Sequence, residues 1–134
     1  MLNSQKVGIE LYENIGRLFF AVAMADGKVH PKELKKLRQI VRERWLNVDD
    51  IEDMYHADAA YQIETVFEWL METDNDVDEV FNEFKQFYKE HTALFSHKIN
   101  GLMVDTANDI ANVFSGKNKS ELIIIGKLCL LLNK

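Results

Sequence analysis

Apolar residues recur at three- and four-residue steps along almost the whole chain, a spacing that gathers them on one side of an α-helix and would scatter them over both faces of a strand. From Gln5 to Ala25 the series Ile9, Tyr12, Ile15, Leu18, Phe19 and Val22 predicts a helix with one core face, capped by Asn3 or Ser4. Asp26-Gly27 closes it, because glycine accepts the left-handed conformation that ends many helices. Pro31 opens a second helix, where its missing N–H has no intrahelical partner to lose, and Leu34, Leu37, Ile40, Val41 and Trp45 supply its stripe. A short acidic piece, Asp49 to Asp53, begins a further turn that leads into Ala60, Ile63, Val66, Phe67 and Leu70. Thr73-Asp74-Asn75-Asp76 interrupts the pattern, and Val77, Val80, Phe81, Phe84 and Tyr88 mark a fourth helix.

Another stripe, Ile99, Leu102, Met103, Thr106, Ile110 and Val113, stops at Ser115-Gly116. The last helix starts after Asn118, with Leu122, Ile125, Leu128 and Leu132 on one face and Ile124 and Leu131 on another. A helix this apolar all round is expected to lie at the centre of the bundle or to share a face with a second subunit. Its three consecutive isoleucines suit a strand locally, but no alternating segment is available to pair with them. The fold class is therefore all-α, a compact bundle of about six to seven helices.

A chain of 134 residues can bury roughly 70% of its unfolded surface, so residues 1–134 are read as a single domain. One proline and six glycines leave no linker composition. The net charge of −6 sets the long-range field against nucleic acid and anionic membranes. The one dense basic stretch, Lys32, Lys35, Lys36, Arg38, Arg42 and Arg44, wraps around a helix and reads as a solvated face. Cys129 is the only cysteine, which excludes an internal disulfide, and its leucine neighbours suggest a small buried thiol. No signal pattern opens the chain, and the run Leu122 to Leu132, broken by Gly126 and Lys127, is too short for a transmembrane helix, so a cytoplasmic protein is expected.

Two acidic segments invite a calcium reading. Asp26, Gly27, Val29 and Glu33 match the fifth, sixth, eighth and twelfth positions of an EF-hand loop, but Val22 and Met24 stand at the first and third, where neither can coordinate calcium. Asp74, Asp76 and Asp78 alternate correctly, yet Glu79 stands where glycine is needed and Lys85 where the bidentate acid belongs. Helix capping accounts for these acids more simply. Glu33 is the third residue of a helix begun by Pro31, Asn118 and Glu121 have capping-box spacing, and Asp76 is placed to cap the fourth helix.

Ile15 to Val41 and Val104 to Leu130 echo one another as two pseudo-repeated helix–loop–helix halves, with DGKVHPKE in the first and SGKNKSE in the second. At these residues the chain resembles a known family: FFAVAMADGKVHPKELKKLRQIV is similar to the first signature of TerB-like tellurite-resistance domains, and Ala107 to Leu132 to the second. Ser115 departs from the aspartate usual there. The resemblance covers nearly the whole chain and implies an all-helical fold with related halves, a tellurite-resistance or stress-response context, and no established enzymatic reaction. It also implies a site for calcium or another divalent cation, nominating Asp26, Glu33 and Glu121, and the missing second aspartate weakens that site.

His30, His56, His91 and His97 have no metal-ligand spacing, and the chain carries no nucleophile elbow, phosphate loop or dinucleotide fingerprint. The expected function is a non-enzymatic helical interaction module with a protein partner. The alternative is a small-ligand sensor or enzyme using a cleft between the halves. Trp45, Trp69, Tyr55 and Tyr61 are candidate interface anchors, and the C-terminal helix is the candidate face for a homodimer.

Overall fold

A computed structural model describes residues 4–25, 31–45, 53–114 and 119–132, with side chains within 10–25, 34–45, 61–113 and 123–132. The described residues form six α-helices and no strand: α1 (Ser4–Ala23), α2 (Pro31–Trp45), α3 (Asp53–Glu72), α4 (Val77–Glu90), α5 (His97–Phe114) and α6 (Lys119–Leu132). A single 3₁₀ turn, Thr92–Leu94, joins α4 to α5. The expected short turn at Asp49 lies mostly outside the described residues.

Local chemistry accounts for the boundaries around α4. Asp76 is extended (φ −86°, ψ 123°) and its carboxylate accepts from the Asp78 backbone N–H, while Asp78 and Glu79 meet the positive end of the helix. At the other end the His91 backbone N–H donates to the carbonyls of Phe87 and Tyr88. The His91 ring lies flat on Phe87, centroids 4.2 Å apart, with Nδ1 3.1 Å from the Phe87 carbonyl oxygen. This histidine is a helix terminator. Ser96 then starts α5, its Oγ accepting from the Ile99 N–H at 3.1 Å.

α1 occupies the centre. It packs on α3, α4, α5 and α6, while α2 lies against α5 and α3. The one-faced amphipathic helix expected from its spacing is instead buried nearly all round: Leu18 through Ala23 are all inaccessible, with Leu11, Tyr12 and Ile15. Gly16 makes this enclosure possible. A Cβ there would stand 2.9 Å from the Ile63 carbonyl oxygen and 3.2 Å from Val66 Cβ, so α1 and α3 approach backbone to backbone.

Trp45 is likewise no surface anchor. It is fully buried at the end of α2, edge-on to Tyr12 and Phe19 with centroids 6.5 and 6.1 Å away. Its indole N–H donates to Thr106 Oγ1 on α5 at 3.0 Å, so α2 is pinned to both α1 and α5 by one side chain. A second aromatic group, Phe84, Phe87, Tyr88 and Phe95, fills the space where α4 turns into α5. Phe87 and Phe95, absent from the predicted stripes, belong to this group.

Of the two settings expected for α6, the bundle centre is taken by α1 instead, and α6 lies against it with one line open. It packs on α5 and α1 through Ile124, Ile125, Leu128 and Leu131, but Ile123 is 55% exposed and Leu130 73% exposed. Cys129 and Leu132 are half-buried. Among the described residues no helix is long and apolar enough to cross a membrane.

Candidate functional site

Asp26 lies outside the described residues, and Glu33 and Glu121 fall in α2 and α6 with their side chains outside them. Among the described residues no group of three or more His, Cys, Asp or Glu is placed to hold a metal ion. The Asp74 to Glu79 segment acts as a helix boundary: Asp76 caps α4, and the Asn75 side-chain amide donates to the Leu70 carbonyl at the end of α3.

The basic stretch on α2 is only partly a solvated face, because its arginines are taken up by carboxylates of other helices. Arg38 pairs with Glu68 at 2.7 Å, and Arg42 reaches Glu64 through Nε at 2.9 Å and Nη2 at 3.3 Å. One turn forward on α2 corresponds to one turn back on α3, which makes the two helices antiparallel. Glu64 is 5% exposed, so its two-point partner supplies the hydrogen bonds that burial would otherwise remove. Arg44 binds Asp109 at 2.6 Å and lies 3.7 Å from Asp105, one turn away on α5.

These contacts raise the guanidinium pKa of Arg42, first through its hydrogen bond to Glu64, and that of Arg44, first through its hydrogen bond to Asp109. For a cation with a raised folded-state pKa, the stabilisation is complete below the ordinary arginine value and is lost only as pH rises through the folded one. The arginine side of these pairs therefore stays charged across the neutral range. Lys35 and Lys36 remain exposed.

Three of the surface clefts formed by described residues bear on function. One, about 470 Å³, opens between α1 and α4 and is acidic, with Glu10, Glu13, Glu83 and Glu90 against Arg17 and His91. Arg17 and Glu83 pair across it at 3.3 Å. A second, also about 470 Å³, lies over α2 and α3 beside Tyr61 and Trp69, which are 63% and 53% exposed. It is floored by the Arg38 and Arg42 ion pairs.

The third, about 400 Å³, runs between α4 and α6 and combines the exposed Leu130 with Phe81, Leu131 and three lysines, Lys85, Lys89 and Lys127. Apolar surface meets there with lysines that take part in no ion pair among the described residues. Sequence periodicity places Lys85 and Lys89 on one face of α4, but nothing in the spacing brings Lys127, far along the chain, beside them. On α5, by contrast, Met103, Ala107, Ile110 and Ala111 are all buried.

What these surfaces can do is bind: apolar groups at the edge of an open groove offer area to remove from water, and the lysines offer charge. The chain matches no family model, no curated protein and no solved structure.

Proposed function

We propose that this chain is a non-enzymatic helical interaction module of the TerB-like, tellurite-resistance and stress-response type, with a weak divalent-cation site at the Asp26 to Glu33 loop. The observation that carries the interaction reading is the exposed stripe of α6, where Ile123 and Leu130 stand seven residues apart and face solvent at 55% and 73% exposure. Seven residues return to the same side of a helix, so the two side chains form one apolar line. In a pair of related halves α1 would match α5 and α2 would match α6; the α1–α6 contact then has its counterpart in α5–α2, while the α5–α6 contact has no equal between α1 and α2.

Cross-linking in an extract of the source cells tests the interaction reading. A defined partner set should be trapped by the natural protein and lost with Ile123→Glu combined with Leu130→Glu. The same set trapped by both proteins, or none by either, overturns it. The cation part is tested separately by thermal unfolding: millimolar calcium should raise the melting temperature, and Asp26→Ala should remove the rise. Absence of any rise removes the cation site and leaves the interaction reading in place.

A further inference from the structure

α4 and α6 both rest on α1, and the groove between them is built from two helical lines. On α4, Phe81, Lys85 and Lys89 follow one another at four-residue steps. On α6, Lys127, Leu130 and Leu131 line the groove, and the exposed Ile123 extends the line beyond it, so that Ile123, Lys127 and Leu130 occupy i, i+4 and i+7, the spacing of a seam that a second helix packs against. Phe81 and Leu131 are buried beneath, Leu130 projects at the edge, and the lysines form the rim.

The rim is cationic. Arg17, Arg38, Arg42 and Arg44 are each paired with a carboxylate, whereas among the described residues none of Lys85, Lys89 and Lys127, like Lys35 and Lys36 on α2, takes part in an ion pair; what sets the first three apart is that they gather around apolar side chains. A chain of net charge −6 thus keeps three uncompensated cations around one apolar floor.

We propose that the groove receives an amphipathic helix of a partner protein, with Asp or Glu flanking its apolar stripe. This rests on the interaction-module reading and names the partner's chemistry. A helix fits because the exposed line has helical seam spacing, and an extended peptide would need a sheet edge, which the described residues do not offer. Acidic flanks fit because carboxylates placed against the three lysines replace mutual repulsion with charge-assisted hydrogen bonds at the margin of a desolvated floor. At contact distance this local field dominates the net charge of the whole chain, which is screened beyond about 8 Å at physiological salt.

The same charges disfavour a second copy of this chain as the occupant, since twofold pairing through α6 would bring Lys127 towards the like residues of the other copy.

Selection from a displayed library of helical peptides, apolar at seam positions and randomised at the flanks, tests the proposal. Enriched peptides should carry Asp or Glu at the flanks. The variant K85E/K89E/K127E, checked for an unchanged melting profile, should bind them at least about tenfold more weakly and should gain affinity for Lys-flanked versions of the same peptides. No enrichment, enrichment of basic or neutral flanks, or undiminished binding to the variant each overturns the groove assignment. So does lysine-dependent binding to phosphatidylserine vesicles, or a lysine-dependent dimer in sedimentation, where acidic peptides fail. Peptides that bind elsewhere, insensitive to the lysines, sink the groove and leave the interaction reading standing, which the cross-linking experiment decides on its own.

Discussion

Helices α1 and α6 are both apolar over long runs, Leu18 to Ala25 in one and Leu122 to Leu132 in the other, yet the fold treats them differently. Around α1 four helices gather, and six consecutive residues from Leu18 to Ala23 lose their solvent contact. α6 is covered on the sides facing α1 and α5 and open on the line through Ile123 and Leu130. The difference teaches that apolar content does not decide which helix becomes central. Small residues help decide how closely neighbours fit: Gly16 lets the α3 backbone close on α1 and leaves no room for a Cβ, and Ala21 and Ala23 are buried without a bulky side chain.

The sharpest way to break this comparison is to remove a large apolar side chain from each helix. Phe19 is fully buried and touches Trp45 edge-on, so Phe19→Ala should cost about 3 to 5 kcal/mol of unfolding free energy, the sum of lost burial and a cavity that the neighbours cannot fill. Leu130→Ala removes a side chain that is 73% exposed and should stay within about 0.5 kcal/mol of the parent. Urea unfolding of the two variants provides the measurement. Equal losses would mean that α6 is as enclosed in solution as α1, which would end the docking reading together with the comparison.

Much of the fold was legible because the helices carry a three-four apolar spacing and are punctuated by breaks. The spacing of Val80, Phe81, Phe84 and Tyr88 marked α4, and Asp76 is the cap that the break before it suggested. Pro31 opens α2 as its fixed geometry demands. The enclosure of α1 was less visible, although eight residues from Leu18 to Ala25 carry no charge, because a three-four stripe is satisfied by one buried face as well as by complete burial.

The site was harder. Arg38, Arg42 and Arg44 looked like a basic helix face because their partners, Glu68, Glu64 and Asp109, are set by how α2 lies across α3 and α5, information that no local window contains. Trp45 fell both in the α2 stripe and among the candidate surface anchors, and the hydroxyl of Thr106, which accepts from its indole N–H, explains how that N–H can be buried. The lysines of the α4 and α6 groove come from distant stretches and converge only once both helices rest on α1.

A pair of glycines carries the smaller effects and tests the comparison at the backbone. Gly16→Ala forces a methyl group against the Ile63 carbonyl and Val66, both on α3, so α1 must shift outward; about 1 to 3 kcal/mol of destabilisation is expected despite alanine's better helix propensity. Gly126 has the reverse setting. It is exposed within α6, and a Cβ there would meet nothing within 4 Å, so Gly126→Ala gains helix propensity without a steric cost and should stabilise by up to about 1 kcal/mol. Thermal and urea unfolding of both variants read the two signs directly. A loss at Gly126 in the isolated protein would place unseen structure against α6 and contradict its open face. A gain at Gly126 with a loss at Gly16 has one physical cause: α1 is enclosed by its own chain, whereas the exposed line of α6 has room for another backbone to approach.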